Sequence, residues 1–192
     1  MNSSKTINDW STVKSIASSG YQHAVEAMAL VCIIERSNRP TVIRGLNNDG
    51  AGRAVKLLIN AVISRLVLFA TRDVLPVRSG DLTFGAVERF LKTYDYSKDA
   101  YEDDVRLALK LFDEYRQAPA TKSLIHFRNK NVAHIAAPQE EPPIYNDLFD
   151  CVNLAAQYWE KLANGVGAFT MPISYQVEAY VECSEKLWSR WE

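Results

Sequence analysis

The chain has 192 residues, a length that suits one domain of ordinary size, so we expect a single domain over residues 1–192. Its formal net charge of −1 argues against a protein that coats nucleic acid through bulk positive charge, although local recognition stays possible. Hydrophobic residues make up 47% and charged residues 23%, which is typical of a globular protein, and nothing in the composition indicates disorder.

The compartment is predicted from the ends and the apolar runs. Residues 1–5 lead into polar sequence without the apolar core of a signal peptide. The longest apolar run, residues 57–70, is short for a bilayer and carries Arg65, so we expect a core helix rather than a membrane span. The three cysteines are odd in number and widely spaced, which favours free thiols. These features predict a cytoplasmic protein that does not bind membranes.

The first half of the chain shows helical spacing of its apolar residues. Asn8 is expected to cap a short helix ending near Ser18, and Gly20 to allow a break before an amphipathic helix over residues 22–37. Residues 38–50 are rich in Asn, Pro and Gly and predict a loop with one extended turn at 41–43. The most apolar helix, over residues 51–74, is expected to be the longest and the spine of the fold.

Proline and glycine divide the second half into further segments. Predicted helices cover residues 82–94, 101–117, 144–164 and a terminal stretch from Ser174, and a helix that starts near Pro119 must end before Pro138. The sequence shows no strand-like alternation and no glycine-rich phosphate loop. It therefore predicts an all-α helical bundle.

The segment Arg128–His134 within the predicted Pro119 helix carries the residues best suited to chemistry. The arginine provides a planar fork that grips phosphate, and the histidine can give or take a proton near pH 7. Asn129 between them could hold a phosphate or fix the histidine tautomer. We therefore predict Arg128, Asn129 and His134 as catalytic, and Lys130 and Asn131 as substrate-binding.

The specificity of this string can be estimated from composition. An Arg followed at this distance by a His is common by chance, but an Asn directly after the Arg lowers the expectation to roughly 0.03 per chain. The competing interpretation is that Arg128, Asn129 and Lys130 form a solvated helix face and His134 a partly buried filler. The stretch from Lys122 to Lys130 contains no acidic residue, which predicts a local basic patch and salt-sensitive RNA affinity.

The string RNKNVAH resembles the signature of the HEPN superfamily. It is most similar to the abortive-infection-related branch, whose motif is Arg, then Asn or Asp, then Lys, and after two variable positions Ala and His. The positions that match are Arg128, Asn129, Lys130, Ala133 and His134. Residues 63–73, which end in Arg-Asp, also look like the long helix of that branch.

This resemblance implies a fold and an activity. The expected fold is a HEPN-type bundle of about 6–8 helices that dimerises through the motif helix. The expected activity is metal-independent endoribonuclease cleavage by 2′-hydroxyl transesterification, in prokaryotic phage defence or a toxin–antitoxin system. RNA would be the substrate, an antitoxin or defence protein a possible partner, and no metal or cofactor would be needed.

The spacing of the two main residues restricts the geometry of such a site. On a regular helix Arg128 and His134 lie about 120° apart, so they do not share one face. Either the backbone is irregular near Asn129, or a second copy of the motif completes the site across a two-fold axis. The resemblance favours the second copy, with two His134 and two Arg128 side chains providing base, acid and phosphate contacts.

Other polar residues have simpler interpretations. Arg72 and Asp73 are expected to form a structural salt bridge, Phe127 to be core, and His23 is remote from the motif in sequence. A non-catalytic helical module that retains the motif and binds RNA or protein is the main alternative. A metal-dependent hydrolase is disfavoured, because the chain has three His and no paired acidic and His spacing.

Overall fold

The computed structural model describes residues 7, 9–76, 78, 81–96, 98, 100–132, 145–168 and 170–192. Within these ranges the chain is helical and shows no strand, which confirms the all-α prediction. The described residues form eight α-helices, a π-helical turn at Arg128–Val132 and a 3-10 turn at Ser189–Trp191. The helices are α1 (Trp10–Ser37), α2 (Pro40–Asn48), α3 (Gly52–Arg72), α4 (Phe84–Leu91), α5 (Glu102–Gln117), α6 (Pro119–Phe127), α7 (Tyr145–Gly165) and α8 (Ile173–Trp188).

Helix α1 is one continuous helix of 28 residues, so the predicted break at Gly20 is wrong. Its cap is Asp9 rather than the predicted Asn8, with the Asp9 side chain accepting from the amide of Thr12 at 2.7 Å. Gly20 is buried against α7, where an added Cβ would lie 2.1 Å from the indole of Trp159. The glycine is therefore used for close helix packing and not for a turn.

Helix α2 occupies most of the stretch that was predicted as a loop. Pro40 stands at the first turn, where its missing amide donor does no harm, so the helix continues through the residues predicted as extended. Val42 and Leu46 are buried in a small cluster with Trp188. Gly50, with a φ of +72°, makes the turn into α3, so the loop prediction holds only for this end of the segment.

Helix α3 is only partly a core helix. At 21 residues it is shorter than α1, and its first half leaves Leu57 71% and Leu58 66% exposed. By length and composition α3 is apolar enough to cross a membrane, and 33% of its most apolar stretch is buried within the fold. The spine prediction is therefore wrong for the first half. The buried residues of α3 are Leu66, Val67, Phe69, Ala70 and Thr71.

The core is built around α7, which packs along α1 and α5, while α8 covers the other side of α1. An aromatic cluster lies where α4, α5 and α7 meet, with the rings of Phe84 and Phe112 4.6 Å apart. Tyr158 and Trp159 of α7 pack edge-on against Phe84. Three residues of this cluster donate hydrogen bonds to Asp73, the residue that directly follows α3.

The remaining predictions fit closely where the structure describes them. Helices α5 and α7 begin and end within about one turn of the predicted positions, α8 begins one residue before the predicted Ser174, and Pro119 begins α6. The predicted end of the motif helix before Pro138 lies outside the described residues. The cysteines Cys32, Cys151 and Cys183 are free, as predicted.

Candidate functional site

A cavity of about 250 Å³ lies between α1, α3 and the π turn. Its charged lining consists of Arg65 and Arg72 from α3, Arg128 from the π turn, and Glu26 from α1. His23 of α1 also lines the cavity. Three guanidinium groups therefore surround a small space that contains one carboxylate, an arrangement that favours an anionic ligand.

Arg72 is held firmly at the inner wall of this cavity. Its Nε and Nη2 donate to the two carboxylate oxygens of Asp73 at 3.1 and 3.3 Å. Its Cζ lies 5.8 Å from the ring centre of Phe69 and 5.5 Å from that of Trp159, both cation–π distances. The side chain is 32% exposed, so the fixed guanidinium still faces the cavity.

Asp73 is buried and anchors Arg72 to the core. Besides the two bonds from Arg72, it accepts from the amide of Phe84 at 3.1 Å and from Tyr158 and Trp159 at 2.9 Å each. Burial, together with the nearby Asp73 carboxylate, raises the pKa of Tyr158 well above its ordinary value, so this hydroxyl stays a donor. The predicted Arg72–Asp73 salt bridge is thus present, and its arginine lines the cavity.

His23 completes this chain of contacts. Its Nδ1 lies 3.1 Å from Nη1 of Arg72. Because a guanidinium can only donate, Nδ1 must accept, and the ring proton of the neutral imidazole is assigned to Nε2. Burial, and then the charge of Arg72, lower the pKa of His23 below its ordinary value, so the ring is neutral at pH 7. The sequence gives no local signal for this residue, which lies far from the motif.

The π turn carries Arg128 to the cavity. Arg128 is half-buried, and its Nη1 donates to Oδ1 of Asn129 at 2.9 Å, so the amide orients the guanidinium. Asn129 and Lys130 are exposed. Single π turns are rare and are frequent at functional sites. The backbone is therefore irregular at Asn129, which is the first of the two alternatives drawn from the spacing.

The structure describes the other motif residues only in part. His134 lies outside the described residues, and of Asn131 only the backbone is described. The roles predicted for both, and the contact of Lys130 with RNA, stay predictions. Phe127 packs against the core, as predicted, and borders an apolar cavity of about 420 Å³ between α3, α6 and α7.

Arg65 also lines the cavity, although it was not predicted as a site residue from the sequence. Arg65 and Arg72 are seven residues apart, which places them two turns from each other on one face of a helix. This spacing lets both guanidinium groups reach the same cavity.

Comparison of the chain with family models, curated proteins and solved structures gives no match. Among the described residues, no three His, Cys, Asp or Glu side chains are grouped as metal ligands would be. The resemblance to HEPN proteins therefore rests on the sequence motif alone.

Proposed function

We propose that the protein is a metal-independent endoribonuclease of the HEPN kind that acts in prokaryotic phage defence or in a toxin–antitoxin system. The observation that supports this most is the position of Arg128. The arginine of the motif lines the same cavity as Arg65, Arg72 and His23, although these residues are distant in sequence. The competing interpretation of a solvated helix face fits the exposed Asn129 and Lys130 but not the half-buried Arg128.

The proposed reaction is transesterification at a phosphodiester. A base removes the proton from the 2′-hydroxyl, its oxygen attacks phosphorus, and the bond from phosphorus to the 5′-oxygen breaks as an acid protonates the leaving oxygen. The product is a 2′,3′-cyclic phosphate. His134 would transfer the protons, and the guanidinium of Arg128 would stabilise the charge that develops on the phosphate oxygens.

The surface around the motif supports an RNA substrate. Lys122 and Lys130 are exposed on α6 and the π turn, close in sequence to Arg128, and no acidic residue interrupts this stretch. Such a patch attracts the phosphate backbone locally even though the chain as a whole is slightly acidic. In a two-fold dimer, the patches of both copies would flank one groove and His134 of each copy would share acid and base roles.

A cleavage assay with a matched control tests this function. In the presence of a chelator, the wild type should cleave single-stranded RNA to 2′,3′-cyclic phosphate products and leave DNA intact, since DNA lacks the attacking hydroxyl. His134→Ala should lower the rate by about 10²-fold or more, whereas His126→Ala should not. Arg128→Lys should also lose cleavage, because an ammonium cannot reproduce the bidentate fork. Arg89→Lys, at an exposed position of α4, serves as its control.

Two results would contradict the proposal. Cleavage by His134→Ala at the wild-type rate would show that His134 does not transfer the protons. Activity that depends on an added divalent metal would contradict the metal-independent mechanism. In the first case the non-catalytic module, in which the motif only binds RNA or a partner protein, becomes the better interpretation.

A further inference from the structure

The fixed tautomer of His23 restricts what this imidazole can do. Its Nδ1 lies 3.1 Å from Nη1 of Arg72, which can only donate, so the proton of the neutral ring is assigned to Nε2. A neutral ring in this state has no free lone pair with which to take the proton of a 2′-hydroxyl. Towards a ligand it can only donate a hydrogen bond, and the natural acceptor is an anionic oxygen.

The surrounding charges select the same ligand. Arg72 is oriented by the buried Asp73, so its guanidinium needs little rearrangement to receive an anion, and Arg128 donates only to the exposed Asn129. Arg65 is paired with Glu26 at 3.8 Å, but these side chains are 62% and 63% exposed. Such a pair contributes little in water, and Arg65 can turn to a phosphate at the cavity mouth.

The size of the cavity limits how much of the ligand enters. Its volume of about 250 Å³ is below the range of roughly 300–1,000 Å³ that is usual for pockets holding drug-sized ligands. One phosphate group with part of its sugar fits such a space, and the rest of a polynucleotide must pass outside. The exposed Lys122 and Lys130 are the cations closest in sequence to Arg128 that such a strand would meet.

We infer that this cavity is a binding site for one backbone phosphate of single-stranded RNA, in which Nε2–H of His23 donates to a phosphate oxygen. Arg65, Arg72 and Arg128 neutralise the charge of the same phosphate. This assignment rests on the proposed function for its choice of RNA, but it concerns binding only. It makes His23 a substrate-binding residue and leaves proton transfer to His134.

Two substitutions of His23 separate the ring nitrogens. In His23→Gln the amide reaches the position of Nε2 and can still donate, but the acceptor for Arg72 is lost. In His23→Asn the shorter amide can still accept from Arg72, but the donor at Nε2 is lost. The probe is a fluorescein-labelled 2′-O-methyl oligoribonucleotide without a terminal phosphate, which cannot be cleaved, and its binding is followed by fluorescence anisotropy.

The expected order of affinity identifies the role. His23→Asn should weaken binding about tenfold, as for loss of a hydrogen bond to a charged group, and His23→Gln should stay closer to the wild type. The reverse order would mean that His23 only holds Arg72 in place. Equal losses of affinity in both variants, or no loss in either, would also overturn the assignment of a donor role to Nε2. Circular dichroism verifies that each variant is folded.

Arg65 provides a test that does not depend on His23. Arg65→Gln should reduce the slope of log affinity against log salt concentration by about 0.7, the contribution of one phosphate contact on a single strand. Arg53→Gln, at the exposed start of the same helix and outside the cavity, should leave the slope unchanged. Equal slopes for the wild type and Arg65→Gln would remove Arg65 from the site.

Inorganic phosphate distinguishes the two sources of the ligand. If the site is built for backbone phosphate, free phosphate should displace the probe only at millimolar concentration or above. Saturation of the cavity by micromolar phosphate, without probe binding, would overturn the RNA assignment. If His134→Ala cleaves RNA normally while probe binding still depends on His23, the proposed ribonuclease mechanism fails and this inference stands. If the wild type cleaves RNA as proposed but probe binding is unchanged in the His23 and Arg65 variants, the ribonuclease proposal stands and this inference fails.

Discussion

Arg72 donates to Nδ1 of His23 from Nη1 at 3.1 Å while its Nε and Nη2 hold the carboxylate of Asp73. These bonds connect a buried carboxylate at the end of α3 to an imidazole on α1. Because Asp73 is itself fixed by three donors from α4 and α7, the orientation of the imidazole is determined by the packed core. The cavity wall is therefore preorganised rather than assembled by a ligand.

The first prediction concerns the titration of His23. Burial and then Arg72 lower its pKa, Arg65 also lowers it, and the nearby carboxylates of Glu26 and Asp73 oppose the shift only in part. We expect the ring to titrate below the ordinary value of about 6.5 for histidine. Proton–carbon NMR of the imidazole signals measures this, and loss of one signal in His23→Gln identifies the residue. A midpoint at or above the ordinary value would contradict the hydrogen bond from Arg72.

The same shift has a consequence for stability, and its sign follows from linkage. The folded protein disfavours protonated His23, so above the unfolded pKa of about 6.5 this residue adds no pH dependence. As the pH falls below that value, the free energy of unfolding should decrease, and it should level off below the folded pKa. Urea unfolding between pH 7.5 and 5.5 should show this decrease in the wild type and a smaller one in His23→Gln.

Asp73→Asn should destabilise the fold strongly. The new amide would direct its own hydrogens at the donors of Arg72, Tyr158 or Trp159, and the guanidinium would lose its buried partner. Breaking a buried pair of this kind lowers the free energy of unfolding by about 3–5 kcal/mol. Urea unfolding measures the loss, and Asp150→Asn on the exposed side of α7 should change it by less than about 0.5 kcal/mol. Similar values for the two variants would show that Asp73 is not an anchor.

Gly20→Ala should also destabilise the protein, although alanine is the better helix former. The added methyl would overlap the indole of Trp159, so α1 and α7 would have to separate. Overpacking of a core contact costs about 1–3 kcal/mol, which exceeds the gain in helix propensity of about 1 kcal/mol. Ser19→Ala, one residue earlier on the exposed face of α1, should be neutral or slightly stabilising. Thermal unfolding of the two variants compares them directly, and an unchanged midpoint for Gly20→Ala would contradict the close packing.

The homodimer is a prediction from the resemblance. Light scattering should give a mass of twice 21.7 kDa at micromolar concentration. Arg128→Lys and His134→Ala should keep this mass if their roles are chemical. A mass of 21.7 kDa for the wild type at that concentration would count against a site shared by two copies, and the cavity within one chain would then have to act alone.

Local sequence signals were sufficient for most of the fold. Helices α5 and α7 follow from apolar spacing and from the prolines and glycines around them, because their interiors contain no competing signal. The wrong helix boundaries occur at residues that are compatible with two different local structures. Gly20 can break a helix or admit a neighbouring ring, and only the position of Trp159, which lies far away in the sequence, decides between them. Pro40 can likewise stop one helix or start the next.

The site was predictable only in part, for a similar reason. Arg128 and Asn129 belong to one short string, and their mutual contact follows from adjacency. His23 and Arg72 belong to different helices, and their contact exists only because α1 and α3 pack together. The burial that keeps the imidazole neutral is likewise a property of the packed helices, and a pattern within one segment does not contain it.

Asp73 also changes how the start of α4 exchanges its amide hydrogens. The first amides of a helix have no partner within the helix, and they usually exchange quickly with solvent. The amide of Phe84 stands at this position but donates to the buried carboxylate of Asp73. Its deuterium uptake should therefore be as slow as that of the central core, since it requires opening of the core itself. The exchange rate of this single amide reports whether the wall of the cavity is intact in the absence of any denaturant.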